Sequence, residues 1–233
     1  MSEKYIRYLV VGRDDSQIDY DSLEKPVHRD IVKPFLALRE KAREQNFDLA
    51  IASGFRNFDR QLLIWNDKAL GVRPVLDDAG EPLDIARLEP WELVQAILRW
   101  SALPGGSRHH WGSDIDVYDR AAVAADYQVQ LSAQEVADGG PFGAMHCWLD
   151  QQIEQLSAEG FFRPYDRDRG GVAPERWHLS FAPLARQFEE LLTVDTLRRV
   201  LASQPLLLKE AVLSHLDEIF ARYIRVWKQG GPS

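Results

Sequence analysis

The predicted β-strands of this 233-residue chain are short, few and set far apart, with predicted helices between them. Residues 48–52 are almost uniformly apolar, and residues 114–118 alternate polar and apolar side chains, so both are predicted strands. Residues 177–181 are a third predicted strand. Residues 4–11, which are rich in apolar and β-branched side chains, are also predicted to form a strand. Doubly wound parallel sheets alternate strands and helices regularly, and this sequence does not. It therefore predicts an α+β fold in which helices flank a small antiparallel sheet.

Most of the remaining sequence has the three- and four-residue apolar spacing of helices. The predicted helices are residues 28–46, 58–70, 89–103 and 146–160, the last of them ending at Gly160, while residues 73–88 predict a hairpin and residues 121–143 and 161–174 predict loops. Beyond residue 183 the sequence is helical, and its last predicted helix places these apolar side chains on one face: Val212, Leu216, Ile219, Phe220, Tyr223 and Trp227. We expect this part, residues 183–233, to be a helical extension packed on a main domain of residues 1–182.

The composition argues against several classes of protein. Asp and Glu outnumber Lys and Arg by 36 to 28, and a net charge of −8 is unlike the basic face of nucleic-acid-binding proteins. The single cysteine, Cys147, allows neither an intrachain disulfide nor a cysteine-rich zinc site. No run of residues approaches the length of about 20 apolar residues that a membrane span needs. The N-terminal apolar run is too short for a signal-peptide core, so we expect a cytoplasmic protein, whose oligomeric state the sequence leaves open.

Two segments contain the residue types of a catalytic zinc site. The segment SRHHWGSDID contains His109 and Asp116, and the segment ERWH contains Glu175 and His178. Zinc in catalytic sites takes three ligands from histidine and carboxylate side chains and leaves one position open for water. A glutamate beside such a site can take a proton from the attacking water and give it to the leaving amine. The sequence therefore predicts a site for one divalent ion, with a general base next to it.

These segments, together with the earlier SGFR segment, resemble the zinc D,D-peptidases. That family includes the vancomycin-resistance carboxypeptidases and dipeptidases and shares a fold with the hedgehog signalling domain. Its pattern is S-G-[YF]-R with a glutamine five residues after the arginine, then S-x-H-x-x-G-x-x-x-D, then E-x-W-H. The matching positions are Ser53, Gly54, Phe55, Arg56, Gln61, Ser107, His109, Gly112, Asp116, Glu175, Trp177 and His178. Each piece alone is common, but their joint order and spacing are specific.

The resemblance implies a zinc metallopeptidase that acts on small peptides containing D-amino acids, such as peptidoglycan stem peptides, and above all a D-alanyl-D-alanine carboxypeptidase. The roles that it implies are zinc ligand for His109, Asp116 and His178, catalytic base for Glu175, catalytic cation for Arg56, and substrate binding for Ser107 and Gln61. The cation would stabilise the oxyanion that develops on the scissile carbonyl, or hold the substrate. It implies one zinc ion, and two histidines with one aspartate would also accept other divalent metals.

Several alternatives stay open at this point. His110 directly follows His109, which leaves a ligand register shifted by one residue open, although the spacing to Gly112 favours His109. Asp114 stands where the family often has alanine, and it could support a ligand, contact substrate or compete as a ligand. The alternative functions are an L,D-carboxypeptidase, an endopeptidase, and a non-catalytic hedgehog-like zinc module. The presence of the base and the cation argues against the last of these, because a structural zinc site needs neither.

Overall fold

The computed structural model describes residues 3–226, with side chains from residue 6 onward. The strands in this part of the chain are β1 (Ile18–Asp19), β2 (Val27–His28), β3 (Leu49–Ser53), β4 (Asp114–Asp119), β5 (Phe161–Phe162) and β6 (His178–Phe181). The α-helices are α1 (Glu3–Val10), α2 (Arg29–Arg43), α3 (Phe58–Ala69), α4 (Pro90–Trp100), α5 (Ala133–Val136), α6 (Gly143–Glu154), α7 (Ala182–Leu191), α8 (Val194–Ala202), α9 (Lys209–Ser214) and α10 (Leu216–Ile219). Short 3-10 turns occur at Ile85–Arg87, Arg108–Trp111 and Arg120–Ala122, and a π-helical turn follows α10 at Phe220–Ile224.

The central sheet has the strand order β3-β4-β6-β5, and every neighbouring pair in it is antiparallel. A separate two-stranded ladder joins β1 and β2. In the central sheet Asp116 of β4 lies opposite His178 of β6 and, on its other side, opposite Ser53 of β3. The predicted α+β class with a small antiparallel sheet is confirmed. The register also brings the ends of the three motif segments next to one another.

The prediction of a strand at residues 4–11 is wrong, because these residues belong to α1 and the turn after it. Ile6, Leu9 and Val10 stand three and four residues apart, which is the spacing of one helix face, and the last two are buried. The Val10 carbonyl accepts a hydrogen bond of 3.0 Å from the indole nitrogen of Trp111. The packing of α1 therefore outweighs the strand preference of its β-branched residues.

The helix predicted at residues 146–160 is shifted toward the N-terminus, and α6 does not end at a glycine. Gly160 instead lies directly before β5 with φ of 87°, where a Cβ atom would come within 2.9 Å of the Phe181 ring. The loop predicted at residues 161–174 begins instead with strand β5, which pairs with β6. The hairpin predicted at residues 73–88 is reduced to a turn with a single antiparallel bridge.

Helices α7 to α10 pack on the same hydrophobic core as the sheet. Phe188 of α7 and Leu197 of α8 are buried in one continuous cluster with Ile115 of β4. The predicted apolar face of the last helical segment is buried at Val212, Leu216, Ile219, Phe220 and Tyr223, whereas Trp227 lies outside the described residues. The division at residue 182 into a main domain and an extension stays a prediction. In residues 3–226 no helix is both long and apolar enough to cross a membrane.

Candidate active site

Three side chains that can bind a metal come together from three separate elements. His109 lies in the 3-10 turn before β4, Asp116 lies within β4, and His178 begins β6. One ligand atom of each lies within 4.8 Å of the others, and all three side chains are buried. Gly112 ends the turn with φ of 65°, and a Cβ atom there would lie 2.6 Å from the His28 backbone nitrogen. The turn that directs His109 toward β4 therefore requires glycine at this position.

The hydrogen bonding of His109 leaves one ring nitrogen available to a metal. Its Nδ1 atom lies 3.0 Å from the carbonyl oxygen of Gly54, and since a carbonyl can only accept, Nδ1 carries the proton. Its Nε2 atom lies 3.4 Å from Oδ2 of Asp116. Burial lowers the pKa of His109 to about 4, with Asp116 opposing the shift. The imidazole is therefore neutral at pH 7, with the lone pair of Nε2 directed toward the cluster.

His109 directs its Nε2 atom toward the cluster, whereas His178 directs its Nδ1 atom toward it. Its Nε2 atom lies 3.1 Å from Oδ1 of Asp114, and its Nδ1 atom lies 3.1 Å from Oδ1 of Asp116. Nδ1 of His178 and Oδ1 of Asp116 are both buried, and neither has a hydrogen-bond partner within the described chain. Burial alone would lower the pKa of His178, but the two aspartates outweigh it and raise that pKa to about 10. A cation between Nδ1 and Asp116 would replace this proton and satisfy both buried atoms.

A buried ion-pair network supports His178 from behind. Asp114 accepts hydrogen bonds of 2.8 Å from Nε of Arg108 and 2.5 Å from Ser113, besides facing His178. Arg108 is also buried, and it donates a second bond of 2.8 Å to Glu189 of α7. Burial alone would raise the pKa of Asp114, but Arg108 and His178 hold that pKa well below its usual range. Asp114 is thus a partner of His178 and lies outside the metal-binding cluster.

His110, the alternative ligand, is fully engaged elsewhere. Its Nδ1 atom lies 2.6 Å from the Arg56 carbonyl oxygen, so that nitrogen donates a hydrogen bond. Its Nε2 atom accepts a hydrogen bond of 2.9 Å from the Gly105 backbone nitrogen. Burial lowers the pKa of His110 to about 3, which keeps the ring neutral. With both nitrogens bonded to the backbone, His110 holds the turn in place and has no lone pair left for a metal.

Glu175 lies beside the cluster, with its Oε2 atom 3.5 Å from Nδ1 of His178. Its position is fixed by the backbone, since its nitrogen donates to the Tyr165 carbonyl at 2.9 Å and its carbonyl accepts from the His178 nitrogen at 3.1 Å. Burial raises the pKa of Glu175 to about 7, with His178 and Arg56 opposing the shift and Asp116 adding to it. A carboxyl group with a pKa near 7 can both accept and donate a proton at neutral pH.

Arg56 lies close enough to the cluster for Asp116 and Glu175 to act on its charge. It donates hydrogen bonds of 2.9 Å to Gln61 and 3.2 Å to Ser53. Gln61 is fully buried, and its amide nitrogen donates to the Ala102 carbonyl at 2.7 Å. The structure therefore places Gln61 behind Arg56, where it positions the guanidinium. Gln61 does not line the cleft, although the resemblance implies a direct contact with substrate.

These side chains border a cleft of about 260 Å³. Ser107 lines it with a hydroxyl group that has no hydrogen-bond partner in the described chain. Tyr165 lines it as well, with its ring centre 5.1 Å from that of His178, and burial raises the pKa of its hydroxyl group. Sequence reasoning missed Tyr165, Arg108 and Glu189, because none of them is a constant position of the matched pattern. The cleft thus combines candidate metal ligands, a candidate base, cationic side chains and the unbonded hydroxyl group of Ser107.

Comparison with known protein families gives one extended match. A family model described as D-alanyl-D-alanine carboxypeptidase (VanY) matches residues 24–184, which is more than half of the chain. An uncharacterized protein of Haemophilus influenzae is 54% identical over 72 residues, which cover 31% of this chain and 49% of that relative. The chain thus spans about half the length of this relative. A second uncharacterized protein of the same organism is 27% identical over 124 residues, which cover 52% of this chain and 92% of that protein.

The solved structures that are similar in fold include VanYB and LdcB. VanYB, solved in complex with D-alanine-D-alanine, is 20% identical with a TM-score of 0.50, covering 82% of this chain and 91% of that one. The LD-carboxypeptidase LdcB is 18% identical with a TM-score of 0.50, covering 84% of this chain and 77% of that one. At these identities the similarity concerns the fold, that is, the arrangement of helices and strands.

Proposed function

Because the chain belongs to the VanY family of D-alanyl-D-alanine carboxypeptidases, as the resemblance in its motifs predicts, we propose that it is a zinc-dependent carboxypeptidase of peptidoglycan stem peptides. The proposed reaction is hydrolysis of the bond before a C-terminal D-amino acid, most of all D-alanine. The proposed zinc ligands are His109, Asp116 and His178, and the proposed base is Glu175.

The observation that carries this proposal is the convergence of three ligand atoms within 4.8 Å, beside a carboxyl group whose pKa is raised to about 7. The donor set fits zinc, which takes nitrogen and oxygen ligands and in catalytic sites keeps one position open. The buried Oδ1 atom of Asp116 and Nδ1 atom of His178 face each other without a hydrogen bond, which is costly unless a cation lies between them. Bound there, zinc would polarise the scissile carbonyl and lower the pKa of water.

The residues around the ligands divide the remaining work between them. Glu175, in its ionised form, takes the proton of the attacking water and then delivers it to the leaving amine. Arg56 is held by Gln61 and Ser53 and directs a fixed positive charge at the cleft, where negative charge develops on the carbonyl oxygen. The hydroxyl group of Ser107 is available to bond the peptide backbone of the substrate.

A non-catalytic zinc module would not need this arrangement. A structural zinc site usually has four protein ligands and excludes water. In this protein Glu175 lies next to the candidate ligands with a pKa suited to proton transfer, and a buried glutamine fixes Arg56 facing the cleft. Both features support catalysis.

The test is release of D-alanine by the zinc-loaded full chain, measured over a substrate panel. The panel contains N-acetylated peptides ending in D-Ala-D-Ala, the same peptides ending in an L-residue followed by D-Ala, and peptides extended beyond the scissile bond. We expect the fastest release from the D-Ala-D-Ala peptides. Faster release from the L,D peptides would assign L,D specificity, and cleavage of the extended peptides alone would assign an endopeptidase. If zinc-loaded protein releases nothing from any of them, the proposed function is wrong.

A further inference from the structure

The cleft is bordered by three cationic side chains that differ in their surroundings. These are Arg56, Arg108 and Lys68. Arg108 is neutralised by two buried carboxylates, those of Asp114 and Glu189. Arg56 faces the reacting groups, since the negative charges that act on it are Asp116 and Glu175. Neither arginine is therefore placed to bind an anionic group of the substrate away from the scissile bond.

Lys68, in the last turn of α3, has no carboxylate partner within the described residues. It is half-buried, and its Nζ atom donates one hydrogen bond of 3.1 Å to the neutral carbonyl oxygen of Pro74. Within residues 3–226 it forms no ion pair, while the neighbouring Arg73 is paired with Asp67 at 3.0 Å. Burial lowers the pKa of Lys68, and Arg73 lowers it further. In a chain of net charge −8, a half-buried lysine with free donors beside a cleft is best compensated by an anionic ligand.

The spacing along α3 relates Lys68 to the reaction centre. Lys68 follows Gln61, the residue that holds Arg56, by seven positions. Seven residues are two helical turns, so both side chains leave the same face of α3, about 10.5 Å apart along its axis. An extended peptide spans roughly 3.3 to 3.6 Å per residue, and the long side chains of Arg56 and Lys68 shorten the gap between their charges. In a peptide cleaved at its last bond, the carboxylate lies only one residue, about 3.3 to 3.6 Å, beyond the scissile carbonyl. Arg56 can face that carbonyl and Lys68 that carboxylate because both long side chains border the same cleft.

We propose that Lys68 binds the C-terminal carboxylate of the peptide substrate and thereby makes this protein a carboxypeptidase rather than an endopeptidase. The proposal rests on the proposed function, because it names the group of that substrate which Lys68 recognises. A charge-assisted hydrogen bond from Nζ to the carboxylate would complete the donors that Pro74 leaves unused. An amide at the C-terminus removes the negative charge, and a further residue moves it beyond Lys68, so that either change leaves Lys68 uncompensated.

The experiment compares a peptide acid ending in D-Ala-D-Ala with its C-terminal amide. Two quantities are measured: kcat/KM with zinc-loaded full chain, and calorimetric binding to the zinc-loaded Glu175→Gln variant, which needs no turnover. We expect the acid to be preferred by about tenfold or more in both, as for a partly desolvated ion pair. Lys68→Met should reduce that preference to less than about threefold, mainly through KM. Lys68→Arg, which retains the charge, should keep most of it.

The matched control is Lys33→Met, which removes the same charge from an exposed residue that does not line the cleft. It should leave the preference for the acid at the wild-type value. The proposal is overturned if Lys68→Met retains that preference, if Lys33→Met reduces it equally, or if the binding measurement shows no preference for the acid. Failure of the proposed function looks different, because zinc-loaded wild-type protein would then bind the acid without hydrolysing it.

Discussion

Replacing Asp114 by alanine tests whether the network behind His178 controls metal binding. Asp114 is fully buried, and its Oδ1 atom faces both Nε of Arg108 at 2.8 Å and Nε2 of His178 at 3.1 Å. Because the aspartate accepts the Nε2 proton, it keeps Nδ1 of His178 free to bind zinc. Without it, the ring loses the partner that fixes its tautomer and orientation. Loss of such a supporting partner costs about 10- to 100-fold in metal affinity or activity, which corresponds to about 1.4 to 2.8 kcal/mol.

The same substitution has a second cost that can be measured separately. Arg108 loses one of its two carboxylates but keeps Glu189, so we expect the free energy of unfolding to fall by about 3 kcal/mol, the lower end for a broken buried pair. Zinc affinity is measured by competition with a chromophoric chelator, and stability by urea unfolding of the metal-free protein.

Two variants separate the hydrogen bonds from the charge. Asp114→Asn can keep its carbonyl oxygen toward both donors, so its zinc affinity should fall by less than about tenfold. Ser113→Ala removes one hydrogen bond to the same carboxylate and leaves its contact with His178 intact, so zinc affinity should stay within about threefold of wild type. If folded Asp114→Ala binds zinc as tightly as the wild type, the reasoning about the His178 tautomer is refuted.

Three further outcomes follow from the same geometry. Glu189→Gln should lower the free energy of unfolding by about 1 to 3 kcal/mol, because it weakens the second ion-pair partner of buried Arg108. In the same urea titration, Glu190→Gln at an exposed residue should change the free energy of unfolding by less than about 0.5 kcal/mol. Ser107→Ala should raise KM for the peptide by about threefold to tenfold without loss of stability, because its hydroxyl group has no partner to lose; equal KM values would contradict a role in substrate binding. Zinc affinity should fall by about tenfold per pH unit as the pH decreases from 7 to 6, because the raised pKa of His178 means that zinc displaces a proton; pH-independent binding would count against His178 as a ligand.

Local sequence indicates the three side chains that the structure brings together as a candidate metal cluster, but not all the residues that surround them. Glu175 and His178 belong to one tight motif, and the turn that carries His109 ends at the glycine that the motif requires. The two-residue period of β4 also indicated that Asp114 and Asp116 share a strand face. It did not indicate that Asp114 turns to Arg108, because that choice depends on a buried arginine and on the register of β4 with β6.

Long-range pairs were beyond what spacing can reveal. Arg108 and Glu189 are 81 residues apart, and neither position by itself differs from an ordinary surface charge in the sequence. The local sequence of α1 predicts a strand for a related reason. Its β-branched residues favour a strand locally, while burial of its apolar face, known from the fold alone, decides for a helix.

Replacing Glu175 by glutamine tests whether this residue is the catalytic base. Wild type and Glu175→Gln are prepared together with the exposed control Glu44→Gln, and zinc content and D-alanine release from a D-Ala-D-Ala peptide are measured on the same samples. We predict one zinc ion per chain in all three proteins, rapid release by wild type and Glu44→Gln, and a loss of at least about 100-fold in kcat for Glu175→Gln. Equal release by zinc-loaded Glu175→Gln would contradict the assignment of Glu175 as the base and with it the proposed mechanism.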